Sequence, residues 1–216
     1  HISFTEAASV KSIGTVFRSK TNIKTFDEFK YFTKVETLAY EAFYKSTLSR
    51  IQLPDGLKVI GASAFYNCKL TSIVLPEGVT AINANAFESN DYLEAVEIPE
   101  GVTSLGEDCF RSCSNLKTVT LPQSLETIGS NCFQGCSKLS AISVPPRITV
   151  IDAYTFYYCS ELAQVNLPEG LIKIANSAFE DCASLRAIDV PETVTSIGDE
   201  AFDRSGLESF VFPPKI

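Results

Sequence analysis

Seven cysteines, one histidine, a row of carboxylates and a cluster of tyrosines are the residues of this 216-residue chain that could do chemistry. The histidine is His1, at the start, so histidine acid–base catalysis and histidine-rich metal centres lack their central residue. Carboxylates recur at Asp55, Glu77, Glu100, Glu169 and Glu192, each directly after a proline. Glycoside hydrolysis needs two carboxylates facing each other across a cleft, which a row along one edge does not supply. Stacked one strand spacing apart in water, two such groups repel by about 0.9 kcal/mol before screening, which an exposed edge tolerates. Turn chemistry explains the row; a line of divalent cations is the alternative.

The cysteines keep time with a recurring phenylalanine. Cys68, Cys113, Cys136, Cys159 and Cys182 sit three residues after it, and Cys109 and Cys132 immediately before it. Ser46, Asn90 and Ser205 occupy the register of Cys113 in other copies, all small residues able to hydrogen-bond a neighbouring turn. The expectation is a buried ladder of reduced thiols. Stacked side chains point in parallel, which makes bridging awkward, and ligands strung along an axis do not converge on one metal. No metal site and no cofactor are expected. With 18 basic against 26 acidic residues the formal charge is -8, so a nucleic-acid backbone or anionic membrane surface would be repelled. No apolar run approaches the roughly 20 residues needed to span a bilayer, so membrane insertion is not expected. Without a signal-peptide pattern, the sequence reads as a fragment of a mature protein.

The elements that carry these residues are set by a repeat. Prolines at 54, 76, 99, 122, 145, 168, 191 and 213 are separated by 22 or 23 residues, and Phe43, Phe65, Phe87, Phe110, Phe133, Phe156, Phe179 and Phe202 keep the same beat. Val10, Ile13, Gly14, Phe17, Ile23 and Phe26 form a degenerate earlier unit, for about nine turns in all. Residues 1–33 then form an N-terminal segment holding this unit, and 34–216 one continuous solenoid. No unit holds enough apolar residues for its own core, so units must stack.

Within a unit, the segment before each proline, such as Leu116, Val119 and Leu121, has the period-two pattern of a short strand, and stacked copies predict a parallel sheet. Proline ends the strand because it has no N–H to donate. Pro-Glu-Gly or Pro-Asp-Gly at Pro54, Pro76, Pro99 and Pro168 suits a tight turn. A second extended piece is expected over Val102 to Leu105 and its equivalents, and one helical or 3₁₀ turn over Ala-Phe-x-x-Cys. After the second Ile or Leu stand Gly14, Ala39, Gly61, Asn83, Gly106, Gly129, Asp152, Ala175 and Gly198. Alanine at two copies argues for small size in a tight corner, not an obligatory left-handed backbone.

The stretch Leu121 to Ile142 resembles the repeat of the BspA-like bacterial surface proteins, Leu-Pro-x-x-Val-x-x-Ile-Gly-x-x-Ala-Phe-x-x-Cys-x-x-Leu-x-x-Ile, with Leu125 in place of Val and Cys132 in place of Ala. The resemblance implies an α/β, β-rich leucine-rich repeat solenoid: a right-handed curved superhelix with a parallel sheet on its concave face. It also implies an extracellular or cell-surface location and a non-catalytic role in adhesion or recognition of host or neighbouring-cell molecules, protein or glycan. Ile2, Ser3 and Glu6 look like the last third of an EF-hand or dockerin-type calcium loop, with the first ligands missing, so calcium binding by this chain is not expected.

Recognition should use positions that packing leaves free. On the strand face these are Arg50, Gln52, Ser72, Val74, Ala95, Glu97, Thr118, Thr120, Ala141, Ser143, Gln164, Asn166, Ala187, Asp189, Ser209 and Val211. The row is small and polar, without the Trp, Tyr and Arg clusters that anchor tight interfaces, so a weak or avidity-based interaction is expected. Thr118, Thr120, Gln164 and Asn166 could hydrogen-bond a glycan or extended peptide; a solvated face is the plain reading. Tyr154, Tyr157 and Tyr158 flank Phe156 where other units carry polar residues, which suggests an exposed patch, against partial burial by neighbouring turns. The competing reading of the whole is a passive spacer or self-associating scaffold, because Phe210, Val211 and Phe212 would finish a strand with an open edge.

Overall fold

The structure is a computed structural model that describes residues 3–216. His1 and Ile2 lie outside the described residues, and with them part of the calcium-loop reading. Glu6 belongs to a different device: the helix Phe4–Ser9 opens with a capping box, in which the Glu6 carboxylate accepts from the Ser3 N–H (2.8 Å) and hydroxyl (2.7 Å) while Ser3 Oγ accepts from the Glu6 N–H. These bonds, the backbone one foremost, hold the Glu6 carboxyl below its ordinary range.

Beyond residue 34 the chain is a parallel-strand β-solenoid of about eight turns, with Phe17 and its neighbours stacked beneath as a partial further turn. Nine phenylalanines form one column. From Phe17 through Phe43, Phe65, Phe87, Phe110, Phe133, Phe156 and Phe179 to Phe202, successive rings lie 5.2 to 5.7 Å apart and within 15° of parallel. The seven from Phe43 to Phe179 are buried, as are the Leu, Ile and Val consensus residues around them. Offset stacking suits the ring quadrupole, and each ring removes a large apolar area from water.

Two of the expected strands exchange importance. The second extended piece makes the longer ladders: Thr37–Leu38, Val59–Ile60, Ala81–Ile82, Ser104–Leu105 and Thr127–Ile128 run side by side, followed by Val150–Ile151, Lys173–Ile174 and Ser196–Ile197. The strand face before the prolines is instead split into pairs, Thr25–Phe26 with Arg50–Ile51, Ala95–Glu97 with Thr118–Thr120, and Ala141–Ser143 with Gln164–Asn166. Among the described residues no backbone hydrogen bond joins Thr118–Thr120 to Ala141–Ser143. A proline in every rung removes a donor and confines the strand to two or three residues, too short a run for pairing to be enforced at every step.

The Ala-Phe-x-x-Cys corner is not a helical turn. In the unit around Phe133, the N–H groups of Cys132, Gln134 and Cys136 bond back within the unit to Gly129, Asn131 and Phe133. The alternate N–H groups of Asn131, Phe133 and Gly135 reach the next unit at Ala153, Thr155 and Tyr157 (3.0, 2.9 and 2.8 Å). This zigzag needs positive φ two residues before and after the phenylalanine, here +57° at Asn131 and +71° at Gly135, which a right-handed helix forbids. The seven units from Phe43 to Phe179 all show it. The tight corner is real at the glycines: a Cβ on Gly106 would lie 2.3 Å from the Ala84 nitrogen, and one on Gly129 2.6 Å from that of Glu107.

All seven cysteines are buried free thiols, and the corner explains the five that stand three residues after a phenylalanine. The Phe133 carbonyl accepts the Cys136 N–H at 3.1 Å and the Cys159 thiol of the next turn at 3.2 Å, filling both lone pairs. Cys68, Cys113, Cys136 and Cys182 do the same to Phe43, Phe87, Phe110 and Phe156. Asn90 takes the place of a thiol, donating to both Phe65 and Phe87, and its buried Oδ1 is left without a partner. Burial pushes the Cys68 thiol up to about 11 and those of Cys113 and Cys182 up to about 12. At neutral pH they are neutral, poor nucleophiles.

At the far end the expected closing strand does not form. Phe210 folds over Phe202 at 49° with ring centroids 5.1 Å apart, while Val211 and Phe212 stay exposed. Aromatic burial on the last ring of the column outweighs a two-residue pairing there.

Phe133→Ala should lower the free energy of unfolding by about 3 to 5 kcal/mol, because it opens a cavity in the middle of the ring column; denaturant melting reads this, and an unchanged midpoint would contradict the packing described. A thiol reagent should leave the native protein unlabelled and titrate all seven cysteines after denaturation. Fast labelling of the native chain would show that the ladder is open.

Candidate binding surfaces

Consensus residues point inward, so the outward positions of each rung are what the chain offers to a partner. Arg50, Gln52, Glu97, Thr118, Thr120, Gln164, Asn166 and Asp189 are all exposed on the strand face. They do not form one site. Arg50 is spoken for: its guanidinium grips Asp27 through two bonds of 3.0 and 2.5 Å. Gln52 lies beside it at the N-terminal end of the face, remote from the rest.

The other six line four hollows, one of them, of about 530 Å³, formed by Asn166 and Asp189 with Glu169 and Glu192. Glu97 and Thr120, cross-strand neighbours, line a hollow of about 400 Å³ with Val74, Glu77, Glu100 and Pro122. Thr118 and Thr120 line the largest groove, about 820 Å³, over the unpaired seam between Thr118–Thr120 and Ala141–Ser143, with Lys117, Ser143, Pro146 and Glu169 around them. Gln164, Asn166 and Asp189 share a smaller hollow of about 350 Å³ over the next seam. Asn166 also donates to Ser143 Oγ at 2.9 Å, which orients its amide across the rung. The expected group of Thr118, Thr120, Gln164 and Asn166 is therefore divided between two hollows, with the Ala141 and Ser143 rung between them. The seams follow from the split pairing, and pairing cannot be read from one-dimensional periodicity.

The carboxylates after the prolines, Asp55, Glu77, Glu100, Glu169 and Glu192, are exposed, and all but Asp55 rim these hollows. Glu100 accepts the Gln123 N–H of the next turn at 3.0 Å, the turn role its position suggests. Among the described residues no three His, Cys, Asp or Glu side chains converge in a way that could hold a metal ion.

Tyrosines mark the corner turns. Tyr154 is 42% and Tyr158 54% exposed, with Tyr157 half-buried between them. Tyr154 meets Tyr157 edge-on at 5.7 Å, and Tyr157 meets Tyr158 at 5.6 Å. The next two turns bring Glu180, Asp181 and Asp203 beside this face, all three bound by Arg204. Partial burial, then the charges of Glu180 and Asp181, raise the Tyr157 phenol above its ordinary value, with Arg204 opposing. A second aromatic group escapes a reading of the sequence that looks within one unit. Tyr44 and Tyr66 stack at 4.8 Å across adjacent turns, with Arg18 over Tyr44 and Lys45 over both rings. The signal was the column one residue after the phenylalanine, which holds tyrosine at 44, 66 and 157.

Nothing in this surface assembles a nucleophile with a base, and the fold agrees with known proteins. The BspA type leucine rich repeat region, in six copies, matches residues 11–140 and 103–216. A leucine-rich repeat protein from Bacteroides ovatus is 34% identical over 77% of this chain with a TM-score of 0.73, and the chain spans 43% of that protein. The leucine-rich repeat protein of T. pallidum is 32% identical, with 70% of this chain and 72% of that one covered and a TM-score of 0.65. A leucine rich cell surface protein from Faecalibacterium prausnitzii is 26% identical over 85% of this chain and 61% of its own, at a TM-score of 0.56. No curated protein matches. The repeat, the ring column and these relatives together place the chain in the BspA-type leucine-rich repeat family.

Proposed function

We propose that the chain is a recognition module of a bacterial surface protein, binding a protein or glycan ligand of a host or neighbouring cell through its outward faces. The observation that carries this reading is the division of side chains: repeat consensus residues are consumed by the core, and non-consensus residues line continuous hollows above the unpaired seams. The Faecalibacterium prausnitzii relative, a cell surface protein, supports the location. Among the described residues no helix is long and apolar enough to cross a membrane.

The groove over Thr118 and Thr120 is the leading strand-face site. Among the described residues no backbone hydrogen bond crosses its floor, and hydroxyls that can donate or accept line it. It lacks a large aromatic or arginine anchor, which places a single engagement on the order of micromolar or weaker, strengthened by multivalent display.

The isolated chain should bind members of a panel of extracellular-matrix proteins and immobilised glycans, and Thr118→Arg with Thr120→Arg should reduce that binding by about tenfold or more without shifting the melting midpoint. No binding anywhere, together with concentration-dependent self-association in sedimentation, would replace this reading with the scaffold.

A further inference from the structure

Four of the tyrosines carry at least one of the chain's own cations over the ring. Lys30 stands 5.2 Å from the Tyr31 ring, Arg18 and Lys45 stand 5.2 and 5.1 Å from Tyr44, Lys45 also covers Tyr66, and Lys69 stands 5.4 Å from Tyr92. Among the described residues no cation lies over Tyr154, Tyr157 or Tyr158, nor over Tyr40, but only the first three form a cluster of rings. The positions that hold Arg18 below Tyr44 and Lys45 beside it hold Gln134 below Tyr157 and Tyr158 beside it, and the turn above adds Glu180 and Asp181. Arg204 brings one positive charge against the three carboxylates of Glu180, Asp181 and Asp203 and is wholly engaged by them, so the neighbourhood keeps a negative excess.

Backbone conformation adds a second, independent observation. Tyr154 and Tyr158 both sit at positive φ, +59° and +61°. Equivalent corner positions hold Asn, Ser, Asp, Gly and a few long polar residues, of which Asn and Gly accept this conformation most easily. No other unit puts an aromatic ring there, let alone two. Neither ring belongs to the buried core, and each keeps about half of its surface in solvent while packing on Tyr157.

The geometry points to the Tyr154, Tyr157 and Tyr158 face as a receptor for a cationic side chain, arginine or lysine, carried by an extended segment of the partner protein. The ring faces supply the attraction for the cation, and the carboxylates of Glu180 and Asp181 supply long-range steering. This rests on the recognition reading above and narrows its partner to a protein with an exposed basic segment, engaged at the corner turns and not on the strand face.

Calorimetric titration of the whole chain with an alternating glycine–arginine octapeptide, and with the same peptide carrying citrulline in place of arginine, tests it. The arginine peptide should bind about tenfold more tightly than its neutral counterpart. The double variant Tyr154→Asn, Tyr158→Asn should lose about the same factor while melting no lower than the parent, because asparagine relieves the backbone strain. Equal binding of the two peptides, undiminished binding by the double variant, or loss in that variant of a glycan ligand instead, would each overturn the assignment. If the arginine peptide fails while a matrix protein or glycan still binds and is lost with Thr118→Arg and Thr120→Arg, recognition stands on the strand face and this site alone falls.

Discussion

Every turn of this molecule is held by laying one phenylalanine ring on the ring beneath it. The rise of 5.2 to 5.7 Å between rings is set by their thickness and offset, and it fixes how far apart adjacent backbones can stand at the corner. At that separation the alternate corner amides meet the next turn's carbonyls, and the thiol three residues after the ring meets the carbonyl of the ring below. Ring, amide and thiol form one cooperative unit. Because each turn contacts only its neighbours, stability is a sum of such interfaces.

Polar satisfaction at the corner is directional. On the strand side the bonds run both ways, Gly129 donating back to Leu105 and Ile98 forward to Thr120, whereas at the corner the backbone N–H groups that link turns donate from the earlier turn to the later, as Phe133 does to Thr155. The surface ion pairs that link turns, such as Lys117 with Glu94 and Arg147 with Glu126, follow the same 21- to 23-residue spacing. They are half or more exposed on both sides, so each adds little to stability. Their effect is on the outer potential: cations paired within the stack are not available to balance the acidic rim, and the molecule presents a net negative face.

How much of this the amino-acid order discloses depends on the range of the interaction. The ring column is legible because a spacing of 22 or 23 residues is a statement about stacking, and Phe133 can face Phe156 in only one way. Burial of Cys136 and Cys159 follows from their fixed distance to that ring. The corner conformation is not legible, since Asn131, Asp108 and Glu41 adopt positive φ where residue type gives only a weak preference, and the inter-turn amides impose it. The seam beside Thr118 is hidden for a related reason: Val119 and Ile142 have the same strand-like pattern whether or not their backbones pair. The two hollows that divide Thr118 from Gln164 exist only because of that seam.

A repeat protein separates the residues that fold it from the residues that make it particular, and the separation can be used as an instrument. Where a column is uniform, as with phenylalanine, its chemistry belongs to the stack. Where a column varies among polar residues, as at Asn131 and Ser177 two residues before the ring or at Ser112 two after it, it answers to the positive-φ backbone it must adopt. A unit that departs from its column in the direction the backbone resists, placing rings at Tyr154 and Tyr158 where φ is positive, is explained by neither requirement. Tyr44 and Tyr66 do not resist their column in this way, and the chain's own Arg18 and Lys45 complete them. The physical difference between these two tyrosine groups is that one is closed by its own cations and the other stands open beside carboxylates, so it is at the second that an outside partner meets chemistry the fold has left unpaired.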